Sequence, residues 1–223
     1  MEKLTRPKLF TFDIFGTVLD WQSGLSQALR AQGKTFRDGD MERFNDIQGK
    51  LESGPYRTYR ELTALTLTQG FGIEPAKADA VAAKVGEWPL FRDSVEGMKR
   101  LMAIAPCAAM TNSDLAHGEQ VQKQLGYRLS DWICAEEVRV YKPSVEFWKA
   151  VAKRRGIAFN RDWWHVSAYA NFDLDVTWKL GLTCVYIPRP HHRAGKAHHT
   201  AADLNALADF LQAGSPASRG GGS

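Results

Sequence analysis

Four stretches of this chain carry residues able to do chemistry. In the first, Phe10-Thr11-Phe12-Asp13-Ile14-Phe15-Gly16-Thr17, an apolar run ends in the lone carboxylate of Asp13. An aromatic ring and a Gly-Thr pair follow it. The second is Thr111-Asn112-Ser113-Asp114, and the third is Val140-Tyr141-Lys142-Pro143. The fourth runs from Ser167, Ala168 and Tyr169 through Asn171 to Asp173 and Asp175. Together they offer two separate carboxylate sites, one lysine and several small hydroxyl or amide donors. Such a set suits acid–base or covalent work on a small molecule, provided the fold gathers it.

Five continuous apolar runs read as the strands that would do the gathering. They are Lys8 to Phe12, Ala105 to Met110, Trp132 to Ala135, Trp163 to Ser167, and Leu182 to Ile187. Continuous rather than alternating, they fit a parallel sheet covered by helices on both faces. Helical periodicity runs over Ser94 to Ala103 and Asp173 to Leu180, and Pro143 is placed to open another helix at its first turn. Alternating strand and helix predicts an open α/β sheet, whose ligands sit beyond the carboxyl ends of the strands. Each chemical stretch follows one of the predicted strands. The exception is Trp21 to Pro89, which has no strand-like run. It reads as helices over Gly24 to Ala31, Met41 to Glu52, Tyr56 to Thr68 and Pro75 to Val85, with glycines between them. The predicted organisation is a Rossmann-like core from residues 1–20 and 90–213. A helical cap over 21–89 is inserted after the first strand, and a Gly/Ser-rich disordered tail covers 214–223.

Taken in order, "FDIFGTVLD", "MTNSD", "YKP" and a late Asp before "LGL" resemble the four motifs of the haloacid dehalogenase superfamily, from about Leu9 to Pro190. The resemblance implies that Asp13 is a nucleophile forming a covalent ester. It implies that Thr111 and Asn112 help hold the substrate, and that Lys142 offsets negative charge at the nucleophile.

Phe15 chooses the branch. Phosphatase members resemble Asp-x-Asp in the first motif, and their second Asp protonates an alkoxide that leaves poorly without a proton. They also bind Mg²⁺ through the nucleophile and a late Asp. Here Phe15 has no proton to give, and Ala168 stands where that late Asp is expected. Mg²⁺ wants hard oxygen ligands in octahedral geometry. A halide is a very weak base and leaves without a proton. The chain therefore resembles the (S)-2-haloacid dehalogenase-like branch, with no metal and no cofactor expected. The implied reaction has two steps. Asp13 displaces halide from C2 of a short 2-haloalkanoate, and water activated by a second carboxylate cleaves the ester. Asp173, eight residues before Gly181, is the expected base, with Asp175 the rival. Lys142 is expected to lower the pKa of Asp13. Phe15, Thr17, Thr111 and Asn112 complete the expected site, with Ser167 and Asn171 from the fourth motif.

The chain departs from the family pattern at three places. The halide-accepting arginine of the cap falls in register near Arg43 to Asn45, with Asn45 the occupant and Arg43 the nearest substitute. A tyrosine expected after the lysine is Trp148. The fourth motif is one residue longer between Ser167 and Asp173 than the pattern. Two other readings therefore stay open: a phosphatase of the same fold with weak activity, and a non-catalytic pseudoenzyme.

The totals narrow the remaining classes. The 223 residues are 44% hydrophobic, enough for a sizeable core. The net charge of +4 is mild and interspersed, which speaks against a nucleic-acid arm. No apolar run is long enough to span a bilayer, so no membrane partner is expected. Three well-spaced cysteines, Cys107, Cys134 and Cys184, lie in apolar runs and read as buried thiols of a cytoplasmic protein. His191, His192, His198 and His199 read as a solvated loop rather than a metal site. Apolar cap residues Leu51, Tyr59 and Leu62 are expected to support a homodimer, as in relatives.

Overall fold

The computed structural model describes residues 5–213. The predicted tail over 214–223 lies outside the described residues. The sheet has six parallel strands: β1 Leu9–Phe12, β2 Cys107–Thr111, β3 Asp131–Cys134, β4 Trp163–Ser167, β5 Thr183–Tyr186 and the short β6 His199–Thr200. Their spatial order is β3-β2-β1-β4-β5-β6. This is the α/β Rossmann-like class the strand pattern predicted. The order reverses direction between β1 and β4, and the crevice at such a switch point is where ligands bind.

Side chains on β1 alternate across the sheet and explain why both faces are covered. Phe10 and Phe12 point into one cluster with Met98, Leu101, Val121, Leu125, Leu204 and Leu207. Leu9 points into the other, with Ala108, Met110, Phe147, Trp148, Val151 and Trp163. The first cluster is supplied by α5 (Ser94–Met102), α6 (Leu115–Leu125) and α10 (Leu204–Ala213). The second is supplied by α8 (Val145–Arg155), beyond the one-turn α7 (Ala135–Val138). Pro143 lies outside α8, whose first helical residue is Val145; Ser144 is the flanking cap. The first-turn role predicted for Pro143 is thus two residues early.

Between β1 and α5 lie α1 (Trp21–Ala31), α2 (Asp40–Glu52), α3 (Tyr59–Phe71) and α4 (Pro75–Ala82), with no strand among the described residues there. Their apolar faces, including Trp21, Leu25, Met41, Phe44 and Leu67, join the first cluster. After β4 the chain forms a π turn, Ala170–Leu174, then α9, Asp175–Lys179.

All three cysteines are buried and free, as their apolar context predicted. The histidine stretch is a solvated loop only in part, over residues 192–196 with His192 among them. His191 is buried, while His198 stacks on Trp178 and His199 on Phe210. Tyr59 and Leu62 are buried within the chain, and Leu51 is half-buried. Among the described residues no helix is long and apolar enough to cross a membrane.

Candidate active site

Asp13 follows directly on β1, and its N–H donates to the Val166 carbonyl at 3.0 Å, continuing the ladder with β4. The turn after it needs glycine. Gly16 has φ +97°, and a Cβ there would lie 2.4 Å from the Tyr169 ring. That turn brings Thr17 back onto Asp13. Its hydroxyl donates to Asp13 Oδ2 at 2.7 Å while accepting the Ala168 N–H at 2.9 Å. The buried Arg189 fixes the same turn by donating to the Thr17 carbonyl at 2.9 Å, and it is itself paired with Asp93.

Lys142 lies between two carboxylates. Its Nζ is 2.9 Å from Asp13 Oδ1 and 2.8 Å from Asp173 Oδ1. Asn112 sets the lysine backbone in place: Oδ1 accepts the Lys142 N–H at 2.7 Å and Nδ2 donates to its carbonyl at 3.2 Å. Asp173 has two further partners. The Ser167 hydroxyl donates to Oδ2 at 2.7 Å, and His165 Nε2 is 3.1 Å from Oδ1. His165 in turn meets the Thr11 hydroxyl at Nδ1, 2.7 Å away, and Trp163 Nε1 donates to that same hydroxyl. The indole is a donor only, so the Thr11 hydroxyl accepts from it and keeps its own proton and a second lone pair for the contact with Nδ1.

The extra residue of the fourth motif is taken up by the π turn. A single-turn π segment accommodates one residue more than the α-helix does, and Asp173 still reaches Lys142. Asn171 does not reach the cavity. It lines a neighbouring surface groove, and Phe172 faces the site instead.

Burial and pairing compete at each charge. Burial pushes the Asp13 carboxyl up, and the nearby Asp173 adds to it, against the opposing pull of Lys142. The expectation that Lys142 would lower Asp13 holds for that one interaction, but burial outweighs it. Burial also opposes ionisation of Asp173, yet Lys142 and His165 together hold it at about 2. Burial works against the ammonium of Lys142, and the two carboxylates overcome it and raise its pKa.

The cavity over these groups has a free volume of about 60 Å³, room for a few waters or a substrate of few heavy atoms. Asp13, Phe15, Asn45, Thr111, Asn112, Lys142 and Asp173 line it, as the sequence predicted. Thr17 and Ser167 stand behind the wall and orient the two carboxylates. Arg43 turns away, its guanidinium 5.5 Å from the Phe71 ring centroid. Trp148 is buried in the core against Phe147 and His165, where a ring on the inner face of α8 packs rather than binds. Tyr169, named in the fourth stretch without an assigned role, lines the cavity too. Trp21, Gln48, Gly49, Glu52, Tyr59 and Phe172 also line it, and sequence reasoning missed these six. One signal was present: Asn45, Gln48, Gly49 and Glu52 repeat at i, i+3, i+4 and i+7 on α2, a stripe of one helix face.

The donor set does not suit Mg²⁺. Both Asp13 oxygens are engaged, by Lys142 and Thr17, and Phe15 and Ala168 contribute no oxygen side chain. Among the described residues no group of three His, Cys, Asp or Glu side chains is placed to hold a metal.

A doubly wound α/β sheet with a carboxylate–lysine–carboxylate centre beyond its strand ends is the class that fold and site define. Residues 7–165 match the model of the haloacid dehalogenase-like hydrolase family, and the chain belongs to that family. No match was found among curated proteins. Among solved structures, an L-2-haloacid dehalogenase from Xanthobacter autotrophicus is similar at 15% identity and TM-score 0.79, over 94% of this chain and 100% of that one. The same enzyme with chloropropionic acid covalently bound matches with TM-score 0.78. A defluorinating L-2-haloacid dehalogenase is 22% identical with TM-score 0.75, over 92% of this chain and 95% of that one. The HAD-hydrolase YfnB from Bacillus subtilis, bound to magnesium, is 18% identical with TM-score 0.75, over 93% and 100%. At these identities the likeness shows a shared fold.

Proposed function

We propose that this hydrolase cleaves the carbon–halogen bond of short 2-haloalkanoic acids through an ester on Asp13, without a metal. The observation that carries the reading is the combination of the Asp13–Lys142–Asp173 centre with Phe15 and Ala168, the two positions where a phosphatase needs carboxylates. In the first step an Asp13 oxygen forms a bond to C2, the carbon–halogen bond breaks, and halide departs with the electron pair. Raising the pKa of the Asp13 carboxyl makes its ionised form the better nucleophile. As the ester forms, Asp13 loses its charge and Lys142 remains paired with Asp173. In the second step water attacks the ester carbonyl carbon of Asp13, Asp173 takes its proton, and that proton passes to the 2-oxygen of the product as its bond to the Asp13 carbonyl carbon breaks. A carboxylate held near 2 is a weak base, so proton transfer runs late, as the water oxygen bonds to carbon. The products are the 2-hydroxy acid, halide and regenerated Asp13. The insert of α1 to α4 is proposed to act as the cap that excludes bulk water. Three free buried thiols fit a cytoplasmic setting.

The relative with covalently bound chloropropionic acid supports the ester step by analogy of fold. The test is halide release from chloro-, bromo- and fluoroacetate and 2-chloropropionate, with and without EDTA. The expected outcome is release insensitive to EDTA and abolished by Asp13→Asn. Metal-dependent phosphate release with no halide freed would overturn the reading.

A further inference from the structure

The charges of the cavity do not by themselves suit an anion. Its charged lining groups are Asp13, Asp173, Glu52 and Lys142. The lysine is already shared between the two aspartates, and Arg43 lies on the far side of α2. With all three carboxyls ionised the site carries two net negative charges, and a haloalkanoate would bring another.

Glu52 is the group able to change this count. It is the last residue of α2, where the negative end of the helix opposes a carboxylate charge. Gln48, one turn back on the same helix, donates to its Oε1 at 3.4 Å. From other elements it faces Tyr59 on α3, Asn112 after β2, and Tyr141 and Lys142 before α8. Arg139 and Tyr56 share with it the groove that adjoins the cavity, where the exposed guanidinium stacks on the Tyr56 ring at 4.2 Å. Burial raises the Glu52 carboxyl to about 7, well above an ordinary glutamate, with Gln48, Lys142 and Asn112 opposing.

We propose that Glu52 is the specificity-determining group of the helical insert: as a neutral carboxylic acid it admits an anionic substrate and donates its O–H to the departing halide, and as a carboxylate it closes the cavity to anions. This rests on the reading of Asp13 as the nucleophile toward 2-haloacids. It gives the cavity a hydrogen-bond donor on the same helix that the family resemblance assigns an arginine, with a proton in place of a fixed charge.

Calorimetric titration with bromide tests it without turnover. Between about pH 6 and about pH 8 the acid fraction of a group titrating near 7 falls from roughly nine tenths to one tenth. The apparent Kd of the wild type then rises about tenfold. Glu52→Gln keeps a donor and cannot ionise, so its Kd stays constant over the same interval. This also separates Glu52 from His191, whose Nδ1 meets the hydroxyl of the cavity-lining Tyr169. Wild-type affinity that is absent at about pH 6, flat, or rising with pH overturns the proposal, as does a Glu52→Gln variant that follows the wild-type loss. Halide release from 2-chloropropionate is read separately. Turnover with pH-independent bromide affinity sinks the Glu52 proposal alone. Glu52-dependent bromide affinity with no haloacid turned over upholds the gating of the cavity by Glu52 and sinks the dehalogenase reading together with the donation to a departing halide.

Discussion

Lys142 is a single buried cation between two buried carboxylates, and the energetics of the site follow from that count. Removing it leaves Asp13 and Asp173 facing each other without compensation. Lys142→Met should cost about 3–5 kcal/mol at neutral pH, the usual penalty for breaking a buried pair on one side. The pH dependence has a definite sign. Asp173 has a folded pKa below that of an ordinary aspartate, at about 2. Its contribution is complete above about pH 4 and is lost as pH falls toward 2, on the order of 2 kcal/mol. Asp13 is raised, so its ionisation opposes folding and offsets part of that gain. The penalty of Lys142→Met should therefore shrink near about pH 3, where the unpaired carboxyls are protonated. Urea titrations at the two pH values measure it. An equal loss at both would mean that packing, not charge, explains the effect.

Strand ends were legible because their signal is local, and the wall facing them was not. Trp163–Ser167 was read from sequence with the bounds the structure shows, since two tryptophans and a valine, interrupted only by His165, stand out locally as a buried run. Asp13, Lys142, Asp173 and its rival Asp175 became candidates by the rule that ligands sit beyond strand ends, and the family resemblance chose among them. The α6 helix was missed because Leu115–Leu125 is rich in Gln, His, Lys and Glu. Gln48, Glu52 and Tyr59 were missed because they reach the site through docking of the insert, which no local pattern encodes. Trp148 was misplaced because register within α8 was counted from a family pattern rather than from which face of the helix meets the sheet. The π turn shows the reverse case: a one-residue excess legible in sequence, whose accommodation only the backbone reveals. At this scale Gly16 carries a sharp prediction. Gly16→Ala must hold φ +97° and displace the Tyr169 ring. It should lose at least about 1 kcal/mol of stability and most of the activity, because Thr17 would no longer orient Asp13. Thermal unfolding alongside halide release checks both, and unchanged activity would show that the turn tolerates a Cβ.

The molecule works as one unit only if the insert stays seated on the sheet, and polar contacts along the join help to hold it there. Among them are His117 and Gln120 of α6 against the Ala82 and Ala83 carbonyls and the Trp21 indole against the Tyr169 hydroxyl. Tyr141 and the backbone of Arg57 exchange hydrogen bonds, and His191 Nε2 lies 3.4 Å from Glu42 of α2. The strongest tie is Asp114, in the loop after β2. Its two oxygens accept the N–H groups of Tyr59 and Arg60 at 2.8 and 2.9 Å, the first two of α3. Those N–H groups have no partner within their own helix, and the helix end carries partial positive charge. Two charge-assisted hydrogen bonds at a buried site are worth about 2–4 kcal/mol together. Asp114→Ala should leave the sheet folded while loosening α3, with faster hydrogen exchange at Tyr59 and Arg60 and unchanged protection in β1 and β4. Because Tyr59 lines the cavity from α3 and Gln48 and Glu52 line it from the neighbouring α2, KM should rise and kcat fall together. Protection of α3 equal to the wild type would show that its apolar face alone seats the insert. The carboxylate of Asp114 would then serve the start of α6 rather than the join between the two parts of the chain.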